Sequence, residues 1–264
     1  MERLRYVARS SGGDQRLLVR ETASGLAGLR LDPAGLVVAC RRIVERHTSS
    51  GPLWWLCAKM VTSTEPMSEA WALSDLMDED PTPNHLVEVL PEGATVCVIG
   101  WPDLVGEALI RRGDITALVI DSNDEGNSLV RRLQRVDVDA EEIHASGTAA
   151  AVEAADLVIV EAVATGPDGA LCALGSHAAA AVGYCSEIPV WLVAGRGRRL
   201  PEQMWATILA RLDDSEEGWE RPFERVPLAM ISGIVGPDGL SDVTAAALNP
   251  ECPMAPELLR TSAM

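Results

Sequence analysis

The stretch DLVIVEAVATGPDGALCALGSHAAAAVGYCSEIPVWLV, residues 156–193, contains two short apolar runs, at residues 156–160 and 189–193, with a helical segment at residues 176–184 between them. A short apolar run is typical of a strand buried in a parallel sheet. Because neighbouring parallel strands are usually joined by a crossover helix, this order of segments predicts a βαβ unit. Residues 156–193 therefore indicate an α/β fold.

The same alternation of strands and helices extends on both sides of this unit. Strands are predicted at residues 95–100 and 116–120, and helices at residues 104–112, 126–134, 148–155 and 201–212. Strands that alternate with helices of about ten residues are typical of a doubly wound parallel sheet. We therefore expect a Rossmann-like domain over residues 93–264, with an irregular tail from Asn249 that is rich in Pro and Met.

The chain before residue 93 has a different pattern. Residues 3–9 and 15–21 flank a glycine-rich turn, an arrangement that predicts an initial β-hairpin. Three later segments, residues 36–46, 53–60 and 67–77, carry the apolar periodicity of helices. We therefore expect residues 1–92 to form a mainly helical N-terminal domain that starts with this hairpin.

The composition limits the classes of function. The formal net charge is -17, from 22 Lys and Arg against 39 Asp and Glu. A strongly negative surface repels phosphate backbones, so we expect no nucleic-acid partner. No apolar run reaches the roughly 18 residues of a membrane span, and the N-terminus has no signal-peptide pattern, so we expect no membrane association. The six cysteines form no C-x-x-C pair, which favours reduced thiols in a cytoplasmic protein.

The residues that follow the strands are candidates for a binding site, because ligands of doubly wound sheets bind at the carboxyl ends of the strands. Gly175, Ser176 and His177 open the helix of residues 176–184. Free backbone N–H groups at such a helix start can bind an anion. The alternative interpretation is a plain helix cap with a surface histidine.

A second candidate site is the arginine loop after the strand of residues 189–193. Arg196, Arg198 and Arg199 could clamp a phosphate or a carboxylate. The alternative is that these arginines pair with the excess acidic residues of the protein itself. A dinucleotide fingerprint is excluded, because Leu200 stands where its third glycine would be.

The remaining polar segments contain no motif that binds a cofactor or a metal. The acidic loop of residues 121–126 is interpreted as complementing the dipole of the helix that it precedes. The chain has no P-loop, no nucleophile-elbow motif and no zinc-protease motif, and its four histidines lack metal-ligand spacing. We therefore expect neither a metal nor a cofactor.

Residues 156–177 and 188–191 contain the runs DLVIV, DGAL, LGSH and IPVW in this order. They resemble the D-x-V-I-V-G-A-D, N-G, G-T and I-P-V pattern of the translation initiation factor 2B alpha, beta and delta subunits. That family also contains methylthioribose-1-phosphate and ribose-1,5-bisphosphate isomerases, and the likeness extends over residues 93–239. The resemblance implies a helical N-terminal domain and a Rossmann-like C-terminal domain, and a homodimer through the latter.

The isomerases of the family use a cysteine after the first strand and the aspartate of G-A-D to transfer protons on a ring-opened sugar phosphate. In this chain the cysteine position falls near Trp101, and Val163 stands at the aspartate. General acid–base catalysis requires titratable groups, so we expect no isomerisation by the family mechanism. Glu161 could be a displaced acid, because residues i and i+2 of a strand share a face.

Three functions remain open. The first is a non-catalytic or regulatory protein that binds a small anionic metabolite (a sugar phosphate or a nucleotide) or a protein partner. Its expected ligand-binding residues are Trp101, Gly175, Ser176, His177, Arg196, Arg198 and Arg199. The second is a divergent sugar-phosphate isomerase with catalytic candidates Glu161, Asp168 and His177. The third is a structural dimer subunit.

Overall fold

The computed structural model of the chain describes residues 14–28, 32–214, 217–244 and 248–260. Its helices are α1 Gln15–Ala27, α2 Pro33–Arg46, α3 Gly51–Thr62, α4 Pro66–Asp78, α5 Thr82–Val89, α6 Asp103–Arg112, α7 Gly126–Gln134, α8 Thr148–Glu153, α9 Ser176–Cys185 and α10 Glu202–Asp213. Its strands are β1 Thr95–Ile99, β2 Thr116–Ile120, β3 Asp139–Ile143, β4 Leu157–Thr165, β5 Gly169–Ala173, β6 Val190–Val193, β7 Phe223–Pro227, β8 Gly233–Gly236 and β9 Gly239–Ser241. None of the described helices combines the length and the hydrophobicity that crossing a membrane requires.

The main sheet runs in the order β3-β2-β1-β4-β6-β8-β9, and its neighbouring strands are parallel except for β8 and β9. Helices α5, α6 and α7 share one hydrophobic cluster with the strands, whereas α8 and α9 share another. Helices on both faces of a mostly parallel sheet define a doubly wound α/β fold. The predicted fold class is therefore confirmed.

The strand order reverses between β1 and β4. From β1 the chain adds β2 and β3 on one side, and from β4 it adds β6 and β8 on the other. In such sheets the loops at the reversal point diverge and leave a crevice at the carboxyl ends of the strands. Beyond the main sheet, β4 continues as one strand of an antiparallel ribbon with β5 and β7.

The helices before the sheet form a separate hydrophobic layer. Its centre is α3, whose residues Leu53 to Ala58 are almost completely buried. Helices α1, α2, α4 and α10 pack around α3, and so do Cys252, Ala255 and Leu258 of the C-terminal tail. The tail is irregular, as predicted, but it closes the helical layer instead of extending away from it.

The predicted N-terminal hairpin is wrong in its second half, because residues 15–21 belong to α1. Asp14 caps this helix and accepts hydrogen bonds from the backbone N–H groups of Arg16 and Leu17. Side chains at helical spacing then bury one face of α1 against the helical layer. The first half of the predicted hairpin, residues 3–9, lies outside the described residues.

Candidate functional site

A cavity of about 660 Å³ lies where β1 and β4 end. The end of β1 contributes Ile99 and Trp101, and β4 contributes Glu161 and Val163. The opposite wall is the end of α2 and its connection to α3, residues 45–50. A concave site of this volume at the reversal point of a doubly wound sheet is typical of a small-molecule site.

Glu161 and Arg198 form a buried ion pair in the wall of the cavity. Arg198 Nη1 lies 2.8 Å from Glu161 Oε1, and the two side chains expose 3% and 8% of their surface. Glu161 Oε2 also accepts hydrogen bonds of 2.9 Å from the backbone N–H groups of Leu104 and Val105 at the start of α6. The Glu161 carboxylate is thus held by three donors, which favours a positioning role over proton transfer.

The loop that carries Arg198 has a fixed backbone. Thr165 donates its backbone N–H to the carbonyl oxygen of Arg198 at 2.7 Å, which ties the loop to the end of β4. Gly197 has a φ of +73°, and a Cβ atom there would lie 2.9 Å from the ring of Trp55. Only glycine combines this backbone conformation with such a close approach. The loop therefore directs Arg198, and not its neighbours, into the cavity.

Hydrogen bonds to the protein hold Arg198 in the cavity wall. Its Nη1 donates to Glu161 and to the carbonyl oxygen of Ala162. Within the described chain, its buried Nε has no hydrogen-bond partner. A buried N–H without a partner costs free energy.

Asp103 begins α6 and lines the cavity close to this ion pair. Burial and then the negative charge of Glu161 raise the pKa of Asp103 from 3.8 to about 7, although Arg198 lowers it. The positive end of a helix dipole would favour an ionised carboxylate at Asp103. The free backbone N–H groups of Leu104 and Val105 at this helix start, however, donate to Glu161. Asp103 therefore exchanges its proton near neutral pH.

Replacing Asp103 by asparagine is expected to make stability less dependent on pH. The raised pKa means that the folded protein binds a proton at Asp103 between pH 3.8 and about 7 that the unfolded chain has lost. Stability from this group is therefore present at acidic pH and lost as the pH rises toward 7. Urea unfolding measures the free energy of unfolding of both proteins from about pH 4.5 to 8. Over this range the value for Asp103→Asn should rise by about 2 kcal/mol relative to that of the wild type. A difference in the free energy of unfolding that stays constant across this pH range would contradict the raised pKa of Asp103.

The rest of the cavity combines polar groups on opposite walls with an apolar interior. The end of α2 and the connection to α3 present Glu45, Arg46, His47, Thr48, Ser49 and Ser50. The strand-end wall adds the polar residues Asn123, Glu125 and Ser176. Apolar surface comes from Leu18, Ile99, Pro102, Val163, Ala173, Leu212, Pro222 and Phe223. A few convergent polar groups in an apolar cavity fix the orientation of a small ligand.

The connection between α2 and α3 is held against the core by three contacts. Trp54 donates its Nε1–H to the carbonyl oxygen of Thr48 at 3.0 Å. Ser50 Oγ donates to Gln15 Oε1 at 2.6 Å. At Gly51 a Cβ atom would lie 2.6 Å from the carbonyl oxygen of Val163, so α3 begins directly against β4. The polar wall is therefore a built part of the fold.

Trp101 and Val163, which stand at the catalytic positions implied by the resemblance, both line the cavity. The pairing of β4 with β5 shifts register between Ala162 and Ala164, so Val163 lies at a bulge. Bulges often occur next to functional sites and change the direction of a side chain. The guanidinium of Arg132 lies 5.6 Å from the ring centre of Trp101. Neither position carries a titratable group.

The predicted anion site at the start of α9 is occupied by a carboxylate of the protein itself. Glu224 Oε1, on β7, accepts hydrogen bonds from the backbone N–H groups of Gly175 at 2.7 Å and His177 at 2.8 Å. Of the three residues of this turn, Ser176 lines the cavity. The geometry that favours anion binding is present, and a carboxylate of the protein uses it.

The other predicted site residues lie away from the cavity lining. Asp80 fixes the backbone N–H of Arg196, and Arg199 forms ion pairs with Glu251 at 3.3 Å and with Asp238 at 3.7 Å. Asp168 lies in the connection between β4 and β5. It accepts a hydrogen bond from Trp205 Nε1 and pairs with Arg225, both contacts outside the cavity. The structure thus brings together Trp101, Glu161, Ser176 and Arg198, but not Gly175, His177, Arg196, Arg199 or Asp168.

Cysteine chemistry does not contribute to this site. Cys97 lies inside β1, and burial raises the pKa of its thiol to about 12. It therefore stays protonated and does not act as a nucleophile near neutral pH. Among the described residues, no group of three or more His, Cys, Asp or Glu side chains has an arrangement suited to a metal ion.

The sequence analysis named Glu161 and Arg198 but missed other charged residues of the cavity, among them Asp103 and Arg46. Asp103 follows β1 by four positions, and the rule that ligands bind after the strands could have identified it. Arg46 ends α2, and the connection to α3 follows it, far earlier in the chain than the strand ends. Only the packing of α3 against β4 brings that connection to the strand ends.

Comparison with solved structures establishes the fold. The translation initiation factor eIF-2B of Pyrococcus horikoshii OT3 superposes with a TM-score of 0.75 and 19% identity, over 93% of this chain and 98% of that chain. A chain of the tetrameric eIF2B-beta2-delta2 complex from Chaetomium thermophilum gives 0.71 and 14%, over 91% and 89%. The eIF2B beta of the same organism gives 0.58 and 16%, over 89% and 76%. Neither a protein-family model nor a curated protein sequence matches the chain.

Proposed function

We propose that this protein is a non-catalytic or regulatory relative of the initiation factor 2B subunits, and that it binds a small anionic metabolite in the cavity at the ends of β1 and β4. The single observation that carries the proposal is the cavity of about 660 Å³ with buried Arg198 in its wall. This volume suits a sugar phosphate or a mononucleotide. The fold shared with the eIF2B subunits supports the family placement, and we keep a cytoplasmic location as part of the proposal.

The anionic group of the ligand is proposed to bind between Arg198 and Arg46. Arg198 is fixed by hydrogen bonds to Glu161 and Ala162 and lines the cavity. Arg46 is exposed at the end of α2 and lines the cavity from the opposite wall. Two guanidinium groups on facing walls can recognise a phosphate or a carboxylate through charge-assisted hydrogen bonds.

The hydroxyl-bearing part of the ligand is proposed to face the remaining polar side chains. Thr48, Ser49 and Asn123 provide neutral donors and acceptors along the cavity. The indole of Trp101 provides an apolar surface against which a sugar ring or a base can stack. This combination supports a polyhydroxy ligand over a purely apolar one.

Ligand binding is tested with a panel of D-ribose 5-phosphate, D-glucose 6-phosphate, AMP and inorganic phosphate. We expect at least one member to raise the melting temperature of the protein and to bind in isothermal titration calorimetry. Arg46→Ala should weaken that binding roughly tenfold, since it removes one charge-assisted contact. Arg42→Ala is the matched control, because Arg42 is exposed on the same helix but does not line the cavity. The proposal fails if no member binds, or if both variants have the same effect.

Catalysis as a divergent sugar-phosphate isomerase is less well supported. Glu161 is engaged by Arg198 and two backbone N–H groups, and Asp168 contacts Trp205 and Arg225 outside the cavity. A rate of isomerisation with pentose phosphates that Glu161→Gln abolishes would revive this function.

Assembly with a second copy or a protein partner is a further part of the proposal. One structural neighbour is a chain of a tetrameric beta2-delta2 complex, which supports assembly by this fold. In the Rossmann-like part, Tyr184 is 63% exposed and Leu240 is 42% exposed. Light scattering of the purified full chain tests this idea: a dimer is expected, and a monomer at micromolar concentration would contradict it.

A further inference from the structure

The carboxyl group of Asp103 is a titratable group of the cavity. The fold leaves it without a hydrogen bond to any described residue. It belongs to the first turn of α6 and lines the cavity. The adjacent N–H groups of Leu104 and Val105 donate to Glu161, and so does Arg198. These three donors thus serve the other carboxylate, and Asp103 lines the space that a ligand would fill.

The charges that act on the Asp103 carboxyl come from three parts of the chain. Glu161 lies on β4, and Arg198 lies in the loop after β6. Asp14 and Arg16, at the start of α1, also act on the Asp103 charge. The other titratable or charged groups that line the cavity are Glu45, Arg46, His47 and Glu125. Arg16 also pairs with Glu107 of α6 at 2.9 Å, so its charge is shared.

The protonation of Asp103 decides the charge balance next to the proposed ligand. When Asp103 is ionised, two carboxylates face the single guanidinium of Arg198, and the local charge is negative. When Asp103 is protonated, the Glu161–Arg198 pair is balanced, and the neutral acid becomes a hydrogen-bond donor. An anionic group beside Arg198 is therefore bound more weakly in the first state than in the second. Raising of the Asp103 pKa to about 7 by burial and by Glu161 makes both states accessible near neutral pH.

We propose that Asp103 binds the ligand of the cavity as a neutral carboxylic acid, donating its proton to an anionic ligand oxygen, so that the site takes up a proton together with its ligand. The inference rests on the proposed function, since it requires that the cavity be the ligand site. It narrows the ligand class to phosphate monoesters or carboxylates whose anionic oxygens reach both Asp103 and Arg198.

The inference is tested by calorimetric titration of the 264-residue chain with the tightest-binding member of D-ribose 5-phosphate, D-glucose 6-phosphate, AMP and inorganic phosphate. Because the competent form is the protonated one, the apparent affinity should fall about tenfold between pH 6 and pH 8. Titrations near pH 8 in buffers of different ionisation enthalpy should show an uptake approaching one proton per bound ligand.

The matched control is Asp103→Asn, which keeps a donor of similar size but cannot ionise. Any ionisation of the ligand itself affects both proteins equally, so the difference between them isolates Asp103. We expect Asp103→Asn to bind at pH 8 about tenfold more tightly than the wild type and to lose the additional proton uptake. Equal pH profiles for the two proteins would overturn this inference and leave the proposed function intact. Absence of binding by every panel member near pH 6 would overturn both.

Discussion

Replacing Arg198 by methionine is expected to lower the free energy of unfolding by about 3–5 kcal/mol. Methionine fills much of the space of the arginine stem but leaves the Glu161 carboxylate buried beside the cavity without its cation. It also removes the donor that Arg198 supplies to the carbonyl oxygen of Ala162. Urea unfolding near pH 7, followed by circular dichroism, measures the loss.

A double variant shows whether the loss comes from the stranded charge. Arg198→Met combined with Glu161→Gln removes both charges, and a neutral amide still accepts hydrogen bonds from Leu104 or Val105. We expect the double variant to recover most of the stability, since replacing a buried ion pair by neutral groups is often close to neutral. A loss below about 1 kcal/mol in the single variant would show that the pair is not buried.

Replacing Trp54 by alanine is expected to cost about 3–5 kcal/mol, the range for removing a fully buried aromatic side chain. Trp54 is completely buried at the centre of the helical layer, and the Arg211 guanidinium lies 5.1 Å from its ring centre. Its Nε1–H also holds the carbonyl oxygen of Thr48. The substitution should therefore destabilise the fold and loosen the polar wall of the cavity. Urea unfolding measures the first effect and ligand titration the second.

Two controls separate the contributions of Trp54. Trp219→Ala should change stability by less than about 0.5 kcal/mol, because substitutions at exposed sites usually have small effects; Trp219 is 75% exposed. Trp54→Phe keeps most of the buried ring but loses the hydrogen bond to Thr48. We expect it to retain more stability than Trp54→Ala while weakening ligand binding. Similar losses for Trp54→Ala and Trp219→Ala would contradict the packing described for α3.

Elements with a strong apolar pattern were predicted closely. Strand β2 has the predicted bounds, residues 116–120, and helix α7 has the predicted bounds, residues 126–134. Strand β3 was missed because its sequence DAEEI is acidic, and it is an edge strand with one partner, β2, in the described sheet. An edge strand buries little side-chain surface, so no apolar run marks it. Helix α5 was missed because it is short and has proline at its start.

The N-terminal prediction failed for a different reason. Residues 15–21 contain β-compatible residues after two glycines, which suggested a hairpin. The burial of α1 against the helical layer overrides this local preference. Tertiary contacts of this kind are absent from a local pattern, so the sequence alone favours the wrong element.

The candidate site was predictable only in part. Trp101, Glu161 and Arg198 each follow or end a strand, and the position of binding sites in doubly wound sheets is general. The occupation of the α9 start by Glu224 was not predictable, because it depends on the pairing of β7 with β5. The raised pKa of Asp103 likewise depends on its burial and then on the negative charge of Glu161, which is distant in sequence.

The most direct test of the proposed ligand site is a crystal structure of the full chain grown near pH 6 with the tightest-binding member of the panel. The account predicts ligand density in the cavity between Trp101, Asp103 and Arg198, with the anionic group within hydrogen-bonding distance of both Asp103 and Arg198. A ligand bound elsewhere on the surface, with only water between these three side chains, would contradict it.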